Sequence, residues 1–227
     1  MARLPRDDAA GASARALEAR RQTILEAAES VFARSGYDRA TMAEIAGRAG
    51  YSAANLYNLF ESKEDLFRAL FDERGETFLA RMREALAAGP DPQGAIDRAF
   101  DAAAAYAQEN RDLFLFYIRV TQGFEWKVRQ EIGEREAARH RALVDDVARV
   151  FERGIRDGQF IQGDARLYAL AMFGAMTSLY AWQLENEPAE RLEERLHALR
   201  EMLCRLWLPP AAAARAPARA VRAGGRR

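Results

Sequence analysis

TMAEIAGRAGYSAANLYNLF, residues 41–60, carries two short helix patterns separated by a glycine. The first opens with Thr41-x-x-Glu44, a capping box. The Thr41 hydroxyl can accept from the Glu44 amide while the Glu44 carboxylate reaches back. Ile45, Ala46 and Ala49 give this segment a small apolar face. Gly50 follows, where a left-handed residue closes a helix without a Cβ penalty. Ser52 is placed to cap a second helix from Ala53 to Leu59. Two short helices joined by a glycine-containing turn predict a helix-turn-helix, whose second helix fits the DNA major groove.

Outward from that pair, further residues fall at telling positions. Ile24-Leu25-Glu26-Ala27-Ala28 leads to Phe32. Gly36-Tyr37 precedes Thr41-x-x-x-Ile45-Ala46, then Ala49-Gly50, Leu56-Tyr57-x-x-Phe60 and Ser62-Lys63-Glu64. With these features in this order, residues 21–67 resemble the DNA-binding domain of tetracycline-repressor-like (TetR family) regulators. The resemblance implies an N-terminal three-helix DNA-binding domain and a variable C-terminal helical domain that binds an effector and dimerises. It places Tyr57 and Lys63 at DNA phosphates, with a further phosphate contact from Arg20 or Arg21. The exposed side of the second helix offers Ser52, Ala53, Ala54, Asn55, Tyr57 and Asn58 to the groove, with Thr41 at the start of the first. Asparagine pairs with adenine N6/N7 and alanine meets a thymine methyl, so the face points to A/T-rich contacts. Many family members carry a basic residue near position 53, or an aromatic or histidine at 59; Ala53 and Leu59 depart from that pattern.

Composition bounds the function classes. The 227 residues contain 49% hydrophobic residues and balance 34 Lys and Arg against 34 Asp and Glu. A nucleic-acid binder often has a basic excess, so here the basic charge would have to be local. The single cysteine, Cys204, excludes an internal disulfide and sits in an apolar helix pattern, as a buried structural thiol does. His140 and His197 stand singly, with His140 read as part of a solvated face beside Arg139 and Arg141. No HExxH, GxSxG or Walker pattern occurs. The expectation is a non-enzyme without a cofactor. The N-terminus has no apolar run, which predicts a cytoplasmic protein.

The periodicity predicts an all-α chain. Residues 1–14 read as a disordered arm, in which Arg3 and Arg6 could reach a minor groove. Residues 15–65 form the DNA-binding domain, beginning with a helix from about Ala16 to Arg34 whose stripe is Ile24, Ala28, Val31 and Phe32. Residues 66–208 form the effector-binding and dimerisation domain, reached by a long helix that starts at the capped Ser62-x-x-Asp65. Helices follow at about Gln93–Glu109, Leu113–Thr121, Trp126–Asp157, Leu167–Leu184 and Ala189–Trp207. Residues 209–227 read as a disordered tail, in which Arg215, Arg219, Arg222, Arg226 and Arg227 either add nonspecific DNA affinity or do nothing.

Leu167–Leu184 carries no charge. A dimer-core helix explains that better than a membrane span, since Thr177, Ser178 and Gln183 interrupt it. In the last helix Leu192, Leu196, Leu199, Leu203 and Leu206 recur at coiled-coil spacing. Met176, Leu184, Leu192, Leu196, Leu199 and Leu203 are therefore the expected homodimer interface, forming the four-helix contact the resemblance implies. A dimer would present its two reading helices about 34–36 Å apart to a near-palindromic operator. The expected effector pocket is lined by Phe100, Tyr106, Phe114, Tyr117, Phe124, Trp126, Phe173 and Tyr180, for a small apolar or aromatic ligand that tilts the long helix and releases DNA. The competing reading is a DNA-binding regulator without a small-molecule effector, controlled by a protein partner.

Overall fold

The computed structural model describes residues 6–121, 125–186 and 192–210, and these form ten helices with no strand among them. They are α1 (Arg6–Arg39), α2 (Met42–Ala49), α3 (Ala53–Tyr57), α4 (Lys63–Ala87), α5 (Pro92–Glu109), α6 (Arg111–Thr121), α7 (Glu125–Glu131), α8 (Glu134–Arg156), α9 (Ala165–Asn186) and α10 (Leu192–Trp207). The chain divides into two compact units, Met1–Arg74 and Gly75–Arg227, and the division falls inside α4.

α1 starts at Arg6, ahead of the expected Ala16, so residues 6–14 are helical where no structure was anticipated. Alanine-rich sequence with Asp7 and Asp8 at the helix start favours this without any apolar face. Arg3 and the arginine-bearing tail from 211 onward lie outside the described residues.

In the first unit, Ile24, Leu25, Ala28, Val31 and Phe32 of α1 are fully buried, with Ile45, Leu56, Phe60 and Leu66. Phe67 stands edge-on to Phe32 at 5.6 Å and to Tyr37 and Phe71 at 4.8 Å each. This aromatic chain draws the first turns of α4 into the unit, so its edge lies at 74/75 rather than at the expected 65/66. Arg74 closes that edge through an ion pair with Glu29 at 2.9 Å.

The second unit is built on a continuous apolar cluster from α5, α8, α9 and α10, including Ile96, Phe100, Val147, Phe151, Met172, Tyr180 and Trp207. Phe151 touches Phe160 at 5.5 Å, Tyr168 at 5.4 Å and Trp207 at 5.0 Å between ring centroids. Cys204 is buried as expected, 3.4 Å from Gln93 Nε2, while Trp207 Nε1 donates to Gln93 Oε1 at 3.2 Å. Burial pushes its thiol up, which keeps it protonated and inert.

The helix expected over Trp126–Asp157 is two helices. Gly133 breaks it at φ 134, a conformation that favours glycine. The Ile132 and Gly133 amides both donate to the Val128 carbonyl, closing α7. Arg139 is also not on a solvated face. It is 7% exposed, held by Glu136 at 2.8 Å and by Glu76 of α4 at 3.0 Å. Burial lowers the His140 pKa, so that imidazole is half-buried and favours its neutral form.

The expected dimer seam packs inward. Met176, Leu192, Leu196 and Leu203 are buried in the chain's own core, and Leu199 is half-buried against it. Leu184 lies on α9, with its side chain outside those described. An apolar repeat at heptad spacing needs a partner surface, and α5 and α9 supply it within the chain. Among the described residues, large apolar ones exposed on the last two helices include Leu167, Leu170 and Trp182 on α9 and Met202 and Leu206 on α10. Among the described residues no helix is long and apolar enough to cross a membrane.

Gly154 on α8 lets the following turn fold back. Its carbonyl accepts from Gln159 at 2.9 Å and Phe160 at 3.0 Å, and a Cβ would run into the Phe160 ring. Gly154→Ala should therefore cost about 1–3 kcal/mol by overpacking, read as a lower urea midpoint with an unchanged slope. An unchanged midpoint would contradict the packing described.

Candidate nucleic-acid interface

α2 and α3 are too short to persist alone, and each is closed at its ends. Thr41 Oγ1 accepts from the Glu44 amide at 3.2 Å. The Glu44 carboxylate engages Arg34 at 2.5 Å. At the other end Gly50, with φ 76, donates to Gly47 O at 3.3 Å while Tyr51 donates to Ala46 O at 2.9 Å. These are the two bonds of a Schellman closure, which requires the left-handed residue between them.

Ser52 Oγ accepts from the Asn55 amide at 3.2 Å and starts α3. Leu56 is fully buried and anchors the helix, and the Asn58 and Phe60 amides finish it on the carbonyls of Ala54 and Leu56. The opposite face is open. Ser52, Ala54, Tyr57 and Asn58 are exposed, with Tyr57 at 53%, while Ala53 and Asn55 are half-buried. Thr41 is exposed at the head of α2. Its oxygen is used by the cap, and its hydroxyl hydrogen remains a donor.

The chain as a whole is neutral, but arginines meet the residues that precede and follow α3. The Arg20 guanidinium lies 5.5 Å from the Tyr51 ring centroid, and Arg21 lies 5.2 Å from that of Phe60. Stacking on an aromatic ring fixes a guanidinium while leaving its edge donors available. Arg48, exposed in the last turn of α2, is a further basic group there that the sequence reading left aside; its place beside the turn was the available signal.

Lys63 departs from expectation. Its ammonium is turned into the protein, onto the carbonyl oxygens of Tyr37 at 2.8 Å, Ala40 at 3.1 Å and Asp38 at 3.3 Å. The residue is half-buried. The cap behind it forms as read from sequence: Ser62 Oγ accepts from the Asp65 amide at 3.0 Å, and the Asp65 carboxylate accepts from the Glu61 amide at 3.1 Å.

In the second unit, Phe100 and Tyr180 belong to the core, and Phe114, Tyr117 and Phe173 pack against it. Phe114 and Tyr180 meet edge-to-face at 4.9 Å. Tyr106 is buried elsewhere, 4.9 Å from Phe78 and beneath Arg81. Trp126 is 59% exposed, because α7 turns Val128 inward instead, so it does not join the aromatic interior. Phe124 lies outside the described residues. Burial pushes the Tyr117 and Tyr180 phenols up, so both are neutral donors. Tyr180 Oη is buried without a hydrogen-bond partner among the described residues.

Because α3 depends on its cap, Ser52→Ala should cost about 1 kcal/mol. A denaturant titration of the full chain should show the loss, and an unchanged midpoint would mean that the Ser52 hydroxyl does not hold the helix.

With this geometry in place, comparisons with known proteins bear on it directly. Residues 24–70 match "Bacterial regulatory proteins, tetR family", and residues 89–186 match "Tetracyclin repressor-like, C-terminal domain". The HTH-type transcriptional activator FasR of Mycolicibacterium smegmatis is 36% identical over 100 residues, covering 44% of this chain and 41% of that protein. The fatty acid metabolism regulator protein of Bacillus subtilis is 23% identical over 181 residues, covering 79% of this chain and 91% of the relative. The structure of the transcriptional regulator FadR from Bacillus subtilis in complex with stearoyl-CoA superposes with a TM-score of 0.65 at 21% identity, over 80% of this chain and 96% of that one. Two successive family matches, one over the helix-turn-helix unit and one over the helical unit behind it, leave one conclusion: the chain belongs to the TetR family of helix-turn-helix, DNA-binding transcription regulators.

Proposed function

We propose that this regulator is a ligand-responsive repressor that binds a near-palindromic operator as a homodimer. The observation that carries the DNA-reading part is the open face of α3, bearing Ala54, Tyr57 and Asn58, with Arg20 over the ring of Tyr51 just before the helix and Arg21 over that of Phe60 just after it. Asn55 and Asn58 supply the amide groups for adenine, Ala53 and Ala54 accommodate thymine methyls, and Ser52, Thr41, Tyr57, Arg20 and Arg21 meet phosphate. The position of the operator relative to the promoter decides the sign of regulation, and the Mycolicibacterium relative is named as an activator.

The dimer forms through the face left open on the last two helices. Leu167, Leu170 and Trp182 on α9 and Met202 and Leu206 on α10 are large apolar residues exposed on the chain, and Arg195 covers the Trp182 ring at 4.6 Å. Several large apolar groups exposed on two helices are the kind of surface that associates. A two-fold axis makes one such face complementary to itself.

The effector is an apolar molecule with one neutral hydrogen-bonding group. Its body meets Phe100, Phe114 and Phe173, and its polar group meets Tyr180 Oη, which otherwise costs about 1–3 kcal/mol as an unpaired buried hydroxyl. The acyl chain and thioester carbonyl of a long acyl-CoA satisfy both requirements, with its anionic nucleotide part outside this apolar interior, and a fold neighbour was crystallised with stearoyl-CoA. Since α4 is covalently common to both units, a ligand that prefers one placement of α4 shifts DNA binding by its difference in affinity for the two states. The second reading, a regulator without a small-molecule effector, draws on the direct ring contact of Phe114 with Tyr180, which fills that part of the interior.

Selection of duplexes from a randomised pool should return an inverted repeat, and Asn55→Ala should relax specificity at one position per half-site at a cost of about 1–3 kcal/mol. Recovery of sequences without symmetry would contradict the operator reading. Met202→Glu with Leu206→Glu should give a monomer in sedimentation and abolish operator binding; a persistent dimer would place the interface elsewhere. Acyl-CoA thioesters of graded length should release the operator in gel shifts, and Tyr180→Phe should weaken release about fivefold to tenfold. Release by none of them would favour the reading without an acyl effector.

A further inference from the structure

α4 is fastened on either side of Gly75, where the two units divide. Arg74 pairs with Glu29 of α1 at 2.9 Å, within the first unit. Glu76 pairs with α8, within the second. Arg139 Nε donates to Glu76 Oε1 at 3.0 Å, and Arg139 Nη2 lies 3.0 Å from the same oxygen. Arg135, one turn earlier on α8, stands 3.9 Å from it. At Gly75 itself a Cβ would run into the Glu136 carboxylate. Glycine weakens a helix interior relative to alanine, and here it leaves room for Glu136 to lie against α4.

The three charges are not equivalent. The Arg139 and Glu136 side chains are 8% and 11% exposed and lie 2.8 Å apart on the same helix. They neutralise each other, and removing either would strand a buried charge. The Glu76 side chain is 59% exposed. Its link to Arg139 is therefore partly screened by water and opens at little cost, while Arg139 keeps Glu136. Two turns further on, Arg83 pairs with Asp146 of α8 at 2.8 Å. α4 thus stays attached to α8 when Glu76 lets go.

We infer that Glu76 and Arg139 form a releasable latch, with Glu136 as its fixed base, that sets the placement of α4 from which operator DNA is bound. The inference deepens the proposed operator-binding function and rests on it. With the latch open, α4 samples further placements and the binding-competent fraction falls.

The sign of the effect separates a latch from plain charge. Removing a carboxylate makes the chain more positive, which by itself strengthens binding to DNA. The experiment uses the full chain and a duplex selected by the wild-type protein from a randomised pool. Glu76→Ala should raise the operator Kd about fivefold or more, with an unchanged urea midpoint. Glu76→Gln, which keeps a carbonyl acceptor for Arg139, should recover part of that affinity. In the free wild-type protein the Arg139 Nε–H should be protected from solvent exchange, and in Glu76→Ala it should exchange faster. Equal or tighter binding by Glu76→Ala, a loss of affinity matched by a lower urea midpoint, or an unprotected Arg139 Nε–H in the wild type would each overturn the latch. Should Glu76→Ala not fold, Glu76→Gln decides: weaker operator binding at an unchanged midpoint supports the latch, and wild-type affinity overturns it. A wild type that selects no duplex would instead sink the operator reading itself, and the latch with it.

Discussion

A five-residue helix has almost no stability of its own, and α3 (Ala53–Tyr57) is one. It exists because Ser52 accepts from the Asn55 amide, Leu56 buries beneath it, and the Schellman turn at Gly50 closes α2 just before it. Most of the first unit serves that requirement. α1 supplies the apolar floor, and α4 contributes Leu66, Phe67 and Leu70 from the other side. The open face of α3 is the part of this small structure with no packing duty, which frees Ala54, Tyr57 and Asn58 for another molecule.

Local features in this unit were legible because local chemistry sets them. The caps at Thr41, Ser52 and Ser62, and the left-handed Gly50, follow from residues within a few positions of one another. Contacts that bridge distant segments were not legible. Nothing within a few residues of Lys63 identifies the three carbonyls it binds, and nothing near Arg20 identifies Tyr51 as its stacking partner. The Lys63 ammonium braces the end of α1 against the start of α4.

In the second unit the errors have a shared cause: apolar spacing shows that a face must be covered, not by what. The Leu192, Leu196, Leu199 and Leu203 repeat is covered by the chain's own core, which leaves Met202 and Leu206 outward. α9 is apolar on every side, so no periodicity could divide its inward face from its outward one. Gly133 was hidden within a charged helical pattern, where a lone glycine is tolerated and only its positive φ marks the break. Arg139 read as solvated because arginine usually is; Glu136 and Glu76 make its burial tolerable by pairing with it. The result is an interior that mixes aromatic rings with buried polar groups.

The central claim is that the chain reads DNA with the face of α3 and the arginines beside it. Amide and arginine side-chain chemical shifts of the isotopically labelled chain, followed while a selected duplex is added, test it most directly. The account predicts the largest shifts at Ser52–Asn58 and at the Arg20 and Arg21 guanidinium groups. Shifts confined to the unit beginning at Gly75, with α3 undisturbed, would contradict it.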